Sequence, residues 1–161
     1  MQSSLAVVPG SFDPVTYGHQ DVILRARALF GRVIVGVAAN QGKAPLFGLE
    51  ARLTLLHAAL ADEPNIEIQA VPGLLAEFCR QVGATAIVKG LRGGADLDHE
   101  QPMAVVNREL AGVETVFLPA AAAWGYVSSS IVKDVARNGG DVSKYVAPPV
   151  AEALRAALGG R

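Results

Sequence analysis

Short apolar runs rich in β-branched residues alternate along the chain with segments whose apolar positions recur at helical spacing. Such runs are typical of buried strands, and helices between them bring successive strands into a parallel sheet. Five strands are predicted: Leu5–Val8, Arg32–Ala39, Ile66–Val71, Ala86–Val88 and Thr115–Leu118. The pattern therefore predicts an α/β fold, a doubly wound sheet of five mostly parallel strands with helices on both faces.

Six helices are predicted between and after these strands. Three apolar stripes define the first of them and end near Gly31, Pro64 and Gly83, residue types that commonly stop helices. The stripes run from Val22 to Phe30, from Leu49 to Leu60 and from Leu75 to Val82. The other helices reach about Leu110, run from about Ser129 to Asn138, and run from about Pro149 to Leu158.

Pro102 falls within the fourth of these helices. A proline in a helix interior costs about 3 kcal/mol, because it lacks an N–H and crowds the preceding turn, whereas the first turn tolerates it. We therefore predict that this helix starts or kinks near residues 99–101.

The composition limits the classes of protein to consider. The 161 residues fit one domain, residues 1–161, with a substantial core. A formal charge of -1 argues against a general nucleic-acid surface, which would be basic. Cys79 is the only cysteine, so one chain forms neither a disulfide nor a thiolate metal site, and its apolar neighbours predict a buried structural residue.

One uncharged run, from Thr115 to Val132, is long enough to raise the question of a membrane span. Pro119, Gly125 and three consecutive serines interrupt it, so we expect no spanning helix and no membrane partner. The N-terminus also lacks the pattern of a signal peptide. A cytoplasmic location is therefore expected.

The loop after the first predicted strand combines glycine, serine and histidine at a predicted helix start. Gly10, Ser11 and Phe12 follow the strand, and the sequence Thr16-Tyr17-Gly18-His19 follows them. Because ligands of parallel sheets gather at the carboxyl ends of the strands, this loop is placed to bind one. Free N–H groups at a helix start bind anions, and His19 adds a further donor.

Three other loops at the same edge also carry groups that bind phosphate. Lys43 follows the second strand, and Lys89 and Arg92 follow the fourth among glycines. The fifth loop ends in Trp124 to Ser130, whose three serines stand at a helix start and provide its N-cap. The third loop, with Leu74 and Leu75, is apolar and suits an uncharged part of a substrate. Together these loops predict a polyphosphate site.

The sequence lacks the motifs that mark other kinds of binding or catalytic site. The sequence contains neither a Walker-type phosphate loop nor a G-x-G-x-x-G after the first strand, and no G-x-S-x-G supports a serine nucleophile. His19, His57 and His99 are dispersed without metal-ligand spacing. We therefore expect no metal site built by protein residues, and any divalent metal would come with the nucleotide. His57 is expected on a helix surface.

With these residues in hand, the chain closely resembles the bacterial phosphopantetheine adenylyltransferases, a family of the Rossmann-like nucleotidylyltransferase superfamily. The likeness rests on the segments Pro9 to His19, Lys43, Lys89 to Arg92, Asp96, Glu100, Asn107 and Ser128 to Lys133. It implies transfer of AMP from ATP to 4′-phosphopantetheine, giving dephospho-coenzyme A and pyrophosphate, the penultimate step of coenzyme A synthesis. It also implies a homohexamer built as a dimer of trimers, dependence on Mg²⁺ with ATP, and inhibition by coenzyme A.

The resemblance also implies roles for individual residues. His19 is similar to the histidine that stabilises the transition state, and Lys43 and Arg92 join it as predicted catalytic residues. The predicted phosphopantetheine-binding residues are Ser11, Lys43, Leu75 and Lys89. The predicted ATP-binding residues are Ser11, Phe12, His19, Gly90, Leu91, Arg92, Glu100, Trp124, Gly125, Tyr126, Val127, Ser128, Ser129 and Ser130.

Two alternatives remain at this point. The first is a related nucleotidylyltransferase that acts on another phosphorylated acceptor, such as nicotinamide mononucleotide, or that uses CTP with glycerol phosphate. The second is a non-catalytic, flavodoxin-like signalling domain, which requires clustered acids after the first strand and a lysine after the fifth. Only Asp13 follows the first strand closely here, and Pro119 and alanines follow the fifth, which argues against that domain.

Overall fold

The computed structural model describes residues 4–39 and 44–159. In this part of the chain, five strands alternate with four helices, and two further helices follow the last strand. The strands are β1 (Leu5–Gly10), β2 (Arg32–Ala38), β3 (Ile66–Val71), β4 (Ala86–Leu91) and β5 (Glu114–Pro119). The helices are α1 (Tyr17–Leu29), α2 (Leu49–Ala59), α3 (Leu75–Val82), α4 (Gly94–Ala111), α5 (Ser129–Arg137) and α6 (Pro148–Leu158).

The five strands form one parallel sheet in the order β3-β2-β1-β4-β5. The chain starts in the middle at β1, winds outward through β2 and β3, and returns to the other side of β1 for β4 and β5. The boundary between β1 and β4 is therefore the switch point of the sheet, where open α/β folds form a ligand crevice.

The two central strands pair over only a short stretch. Register pairs join Ala6 to Ala86 and Val7 to Ile87, and the pairing stops there. Beyond that point β1 stays paired with β2 as far as Gly10, and β4 stays paired with β5 as far as Leu91. The carboxyl ends of the two central strands are thus joined to their outer neighbours but not to each other.

Apolar residues cover both faces of the sheet. Successive β1 residues point to opposite faces of the sheet. Ala6 and Val8 therefore belong to a large cluster with α1, α2, α5 and α6, whereas Leu5 and Val7 belong to a smaller cluster with α3. Cys79 lies in the smaller cluster, and burial raises the pKa of its thiol to about 11. The predicted doubly wound fold and the buried structural cysteine are both confirmed.

Most predicted elements are confirmed to within two residues, but β1 and β4 continue further than predicted. The predicted start of α4 near residues 99–101 is wrong. The helix begins at Gly94, where Gly93 is the N-cap and the Asp96 carboxylate accepts the N–H of Arg92. Pro102 therefore lies inside the helix, on an exposed face, and removes one backbone hydrogen bond there.

His57 is exposed on α2, as predicted for a helix-surface residue. Within the described residues, no helix combines the length and the hydropathy needed to cross a membrane.

A buried arginine joins α2 to the edge of the sheet. Arg52 is 1% exposed, and its guanidinium donates to the carbonyls of Phe47, Ser11 and Ala38 at 2.9 to 3.0 Å. A buried cation is stable only when its donors are satisfied. Arg52 therefore fixes the loop after β1, the end of β2 and the segment before α2 relative to one another.

Replacement of this arginine tests that role. Arg52→Met keeps much of the side-chain volume but leaves three carbonyls without their donor, so we expect the free energy of unfolding to fall by roughly 2–4 kcal/mol. The matched control is Arg27→Gln, because Arg27 donates to the Pro64 carbonyl at an exposed position. Urea denaturation followed by circular dichroism measures both variants. A loss below about 1 kcal/mol for Arg52→Met would contradict the proposed role.

Candidate functional site

A cavity of about 610 Å³ opens at the carboxyl ends of the strands. Residues from the ends of β1 and β4 face each other across it, among them Pro9 and Gly10 on one side and Lys89 and Gly90 on the other. Its walls also include the starts of α1, α4 and α5 and residues 44 and 45 after β2. The cavity therefore occupies the gap that the parting of the two central strands creates.

Most of the predicted site residues border this one cavity. They come from the loop after β1, from β4 and α4, and from the segment before α5. Those that line it are Ser11, Phe12, His19, Lys89, Gly90, Arg92, Glu100, Trp124, Val127, Ser128, Ser129 and Ser130. The structure thus brings together side chains that lie more than 100 positions apart in the sequence.

Four predicted site residues in the described part of the chain do not line this cavity: Leu75, Leu91, Gly125 and Tyr126. Leu91 follows Gly90 on an extended strand, so its side chain points to the opposite face. Leu75 packs against the smaller core cluster, and Tyr126 is 61% exposed with its ring against Tyr145. Lys43 lies outside the described residues.

The start of α1 fixes the imidazole of His19. Thr16 is the N-cap, and its side chain accepts the His19 N–H at 3.3 Å. In return, Nδ1 of His19 accepts the Thr16 N–H at 3.0 Å, which completes a capping box. Because Nδ1 is an acceptor, the neutral ring carries its proton on Nε2. The ring also meets Phe12 edge-on, with centroids 5.1 Å apart.

The surroundings of His19 favour its neutral form. Burial and the nearby charge of Arg92 lower its pKa from 6.5 to about 4. At neutral pH the ring is therefore an uncharged hydrogen-bond donor at the edge of the cavity. Its Nε2–H group can donate to an oxyanion without any change in the protonation state of the ring.

Two helices direct their amino ends into the cavity. Thr16, Gly18 and His19 at the start of α1 line it, as do Ser128 to Ser130 at the start of α5. Neither helix has an acidic residue in its first turn to offset the partial positive charge of its amino end. The cavity therefore has two backbone sites that favour anions.

The three serines of the fifth loop have different partners. The Ser128 side chain is the N-cap of α5 and accepts the N–H of Ile131, as expected for one of the three. The Ser129 hydroxyl donates to the carbonyl of Pro14 at 2.8 Å, which ties α5 to the loop after β1. Part of the predicted hydroxyl cluster therefore holds the walls of the cavity together.

The two cations after the buried part of β4 are paired with carboxylates of α4. Nζ of Lys89 lies 3.1 Å from Glu100, and Nε of Arg92 lies 3.2 Å from Asp96. The N–H of Arg92 also donates to Asp96, and this bond together with the guanidinium holds the pKa of that carboxyl below its usual value. The carboxylates restrict both cations to the cavity wall.

Gly90 permits close contact between β4 and α1. A Cβ at this position would lie 2.7 Å from Cγ2 of Val22, which is shorter than any normal carbon contact. The absence of a side chain therefore lets α1 approach the sheet and places His19 opposite the end of β4.

Sequence reasoning gave no role to a second carboxylate–ammonium pair in the cavity. Asp13 is 5% exposed, and Nζ of Lys133 lies 3.1 Å from it. Lys133 stands four residues after Ser129 on α5, a spacing that puts both on one helix face and could have indicated it. Likewise, the position of Arg52 within the leucine stripe of α2 could have indicated its burial.

The carboxylates of the cavity do not form a metal site. Asp13, Asp96 and Glu100 each pair with a different cation. Within the described residues, no group of three or more histidine, cysteine or acidic side chains is arranged to hold a metal ion.

Comparison with solved structures supports the fold. The chain superposes on the Plasmodium falciparum nicotinic acid mononucleotide adenylyltransferase with a TM-score of 0.71, at 14% identity, over 96% of this chain and 95% of that one. A bifunctional NMN adenylyltransferase/ADP ribose pyrophosphatase from Francisella tularensis gives a TM-score of 0.74, at 14% identity, over 99% of this chain and 51% of that one. These neighbours share the fold.

Sequence relatives are much closer. Residues 7–135 match the cytidylyltransferase-like family. The phosphopantetheine adenylyltransferase of a Nocardioides species is 54% identical over 153 residues, covering 95% of this chain and 96% of the relative. That of an Acidovorax species is 46% identical over 160 residues, covering 99% and 97%. The chain therefore belongs to the phosphopantetheine adenylyltransferase family of cytidylyltransferase-like proteins.

Proposed function

We propose that this protein transfers AMP from ATP to 4′-phosphopantetheine, giving dephospho-coenzyme A and pyrophosphate in the penultimate step of coenzyme A synthesis. The observation that carries the proposal is the arrangement of the cavity, where a neutral His19, two helix amino ends and several cations border one space. The relatives at 46–54% identity, which bear the name of this activity, supply the substrate class.

The proposed reaction is a direct, in-line and reversible exchange. A phosphate oxygen of phosphopantetheine attacks the α-phosphorus of ATP, a new phosphoanhydride bond forms, and the bond from the α-phosphorus to pyrophosphate breaks. The acceptor is already an anionic nucleophile, so the reaction needs neither a covalent enzyme intermediate nor a strong base. Because one phosphoanhydride replaces another, the reverse direction is accessible as well.

The protein's contribution is then positioning and electrostatic stabilisation. Nε2–H of His19 donates to the α-phosphate, where charge accumulates in the transition state. Arg92 and the amino end of α5 hold the β- and γ-phosphates, and Lys43 bridges the phosphates of the two substrates. Lys89 binds the phosphate of the acceptor, in competition with Glu100.

Other parts of the proposal rest on the resemblance. Mg²⁺ enters with ATP as part of the substrate, since the cavity carboxylates are already paired with cations. Coenzyme A, which carries the product within it, inhibits by occupying the same cavity. The cytoplasm, where both substrates are available, is the proposed location.

A homohexamer, built as a dimer of trimers, is the proposed assembly. Support for self-association comes from α4, which exposes Met103, Val105, Val106 and Leu110 over about two turns. Exposed apolar side chains grouped along one helix are typical of a surface that another chain covers. The number of subunits follows from the family likeness alone.

The proposed activity is tested by release of pyrophosphate from MgATP with a panel of acceptors. We expect pyrophosphate and dephospho-coenzyme A with 4′-phosphopantetheine and only background release with nicotinamide mononucleotide, nicotinic acid mononucleotide, or CTP plus glycerol phosphate. ATP alone should give no burst of pyrophosphate, since no enzyme intermediate forms. Turnover of a mononucleotide in place of phosphopantetheine would contradict the proposal.

Removal of the imidazole separates catalysis from binding. His19→Ala should lower kcat by about 10²–10³, the usual cost of one donor to a developing charge, and change the affinity for ATP far less. His57→Ala is the matched control, because His57 is exposed on α2, and it should behave as wild type. Steady-state kinetics and calorimetric titration with ATP give the two quantities. Equal losses in kcat and affinity would show that His19 only binds.

The protonation state of His19 is open to direct measurement. The imidazole signals should titrate near pH 4 in NMR spectra, and Arg92→Met should raise this pKa because one of its two causes is removed. The unfolded chain takes up the proton near pH 6.5, so the folded state should lose stability as the pH falls from about 6.5 to about 4. A midpoint at 6.5 in the folded protein would contradict the neutral donor.

A further inference from the structure

One buried carboxylate joins three segments of the site. Oδ1 of Asp13 accepts the N–H of Phe47 at 2.8 Å, and Oδ2 accepts the N–H of Leu46 at 2.8 Å. Nζ of Lys133 donates to Oδ2 at 3.1 Å. These partners lie 33, 34 and 120 positions away in the sequence. Asp13 therefore connects the loop after β1 to the segment before α2 and to α5.

The carboxylate is charged despite its burial. Burial alone would raise its pKa, but hydrogen bonds from the Phe47 and Leu46 amides and the pairing with Lys133 outweigh it, and the net effect lowers the pKa. Removal of a carboxylate from water is costly unless its oxygens are fully bonded. An apolar side chain would fill this place at lower cost if packing were the only requirement.

The groups that Asp13 holds are themselves part of the cavity. Ala44 and Pro45, which line it, immediately precede the two amides that Asp13 binds. Lys133 also lines it, close to the serines at the start of α5. Asp13 therefore determines where two segments of the cavity wall lie.

Arg52 holds the same segment from its other side. The peptide unit of Phe47 donates its N–H to Asp13, and the carbonyl of Phe47 accepts from Nε of Arg52. The anion and the cation thus fix residue 47 through both of its backbone groups. Arg52 is bonded to backbone carbonyls, whereas Asp13 is also bonded to a charged side chain of the cavity.

We propose that Asp13 is a positioning residue of the active site, whose carboxylate sets the place of segment 44–47 and the direction of the Lys133 ammonium group toward the phosphates. The inference deepens the proposed function and rests on it for the identity of the substrates. The exchange measurement below depends on the fold alone, so the two proposals fail separately.

Asp13→Asn is the informative variant, since it keeps the shape of the side chain. An amide offers only one acceptor oxygen and turns N–H donors toward the second amide and Lys133. Hydrogen–deuterium exchange at Leu46 and Phe47 should accelerate by at least about tenfold, as expected when bonds to a charged acceptor are lost. In the adenylyl-transfer assay, the KM for one or both substrates should rise by about tenfold, and by a larger factor than kcat falls.

Two further variants show which bond matters. Glu67→Gln makes the same chemical change in the exposed pair of Glu67 with Arg32, and both exchange and KM should stay at wild-type values. Lys133→Met leaves the two amide bonds to Asp13 in place, so exchange at Leu46 and Phe47 should stay within about twofold of wild type while the KM for ATP rises. Equal acceleration of exchange in Lys133→Met and Asp13→Asn would overturn the assignment to the carboxylate.

The kinetic and exchange results together separate positioning from stability. If Asp13→Asn accelerates exchange and lowers the melting temperature but leaves both KM values unchanged, the residue is only structural and the proposal is wrong. If Asp13→Asn does not fold, the wild-type protein still gives a test. Its Leu46 and Phe47 amides lie outside the helices and strands, and their rapid exchange would also overturn the proposal.

Discussion

The active site depends on the short pairing between the two central strands. Hydrogen bonding between β1 and β4 stops after Val7 and Ile87, whereas each strand continues with its outer neighbour. The sheet is therefore continuous at the amino ends of its strands and opens between β1 and β4 at their carboxyl ends, where the chain reverses its winding direction. Sheet order brings the loops that follow β1 and β4 to this opening, and with them His19 and Arg92 to the same cavity.

The electrostatic properties of this cavity depend on how its charged side chains are paired. Three cations have three carboxylate partners, and the starts of α1 and α5, which have no acidic residue in their first turns, add partial positive charge from the backbone. Backbone donors are fixed in place and require no counter-ion, which suits a site that must bind two anions together. Burial and the nearby charge of Arg92 make a charged imidazole unfavourable, and His19 is consequently a neutral donor.

The sequence predicted the elements well because their signals are local. Apolar periodicity marked the helices, and β-branched runs marked the strands, so the order of elements and the sheet edge with the binding loops followed from general rules. The errors concern residues whose position depends on where a strand ends or a helix begins. Because β4 extends to Leu91, the Leu91 side chain lies on the face of the sheet opposite to the cavity. The start of α4 was missed because the helix begins at Gly94, well before Pro102, and its N-cap Gly93 has no side chain that could mark the start in the sequence.

The contacts that position the site were beyond prediction for a different reason. Asp13 accepts from backbone amides 33 and 34 positions away, and the Arg52 guanidinium donates to carbonyls 5, 14 and 41 positions away. A sequence pattern does not show which carbonyl or amide a side chain will reach. Both residues are charged and buried, and both meet at Phe47, one through its N–H and the other through its carbonyl. Such residues are expensive to bury, so their presence between the core and the cavity is best explained by the geometry that they impose. The fold creates the opening, and these two side chains determine its shape.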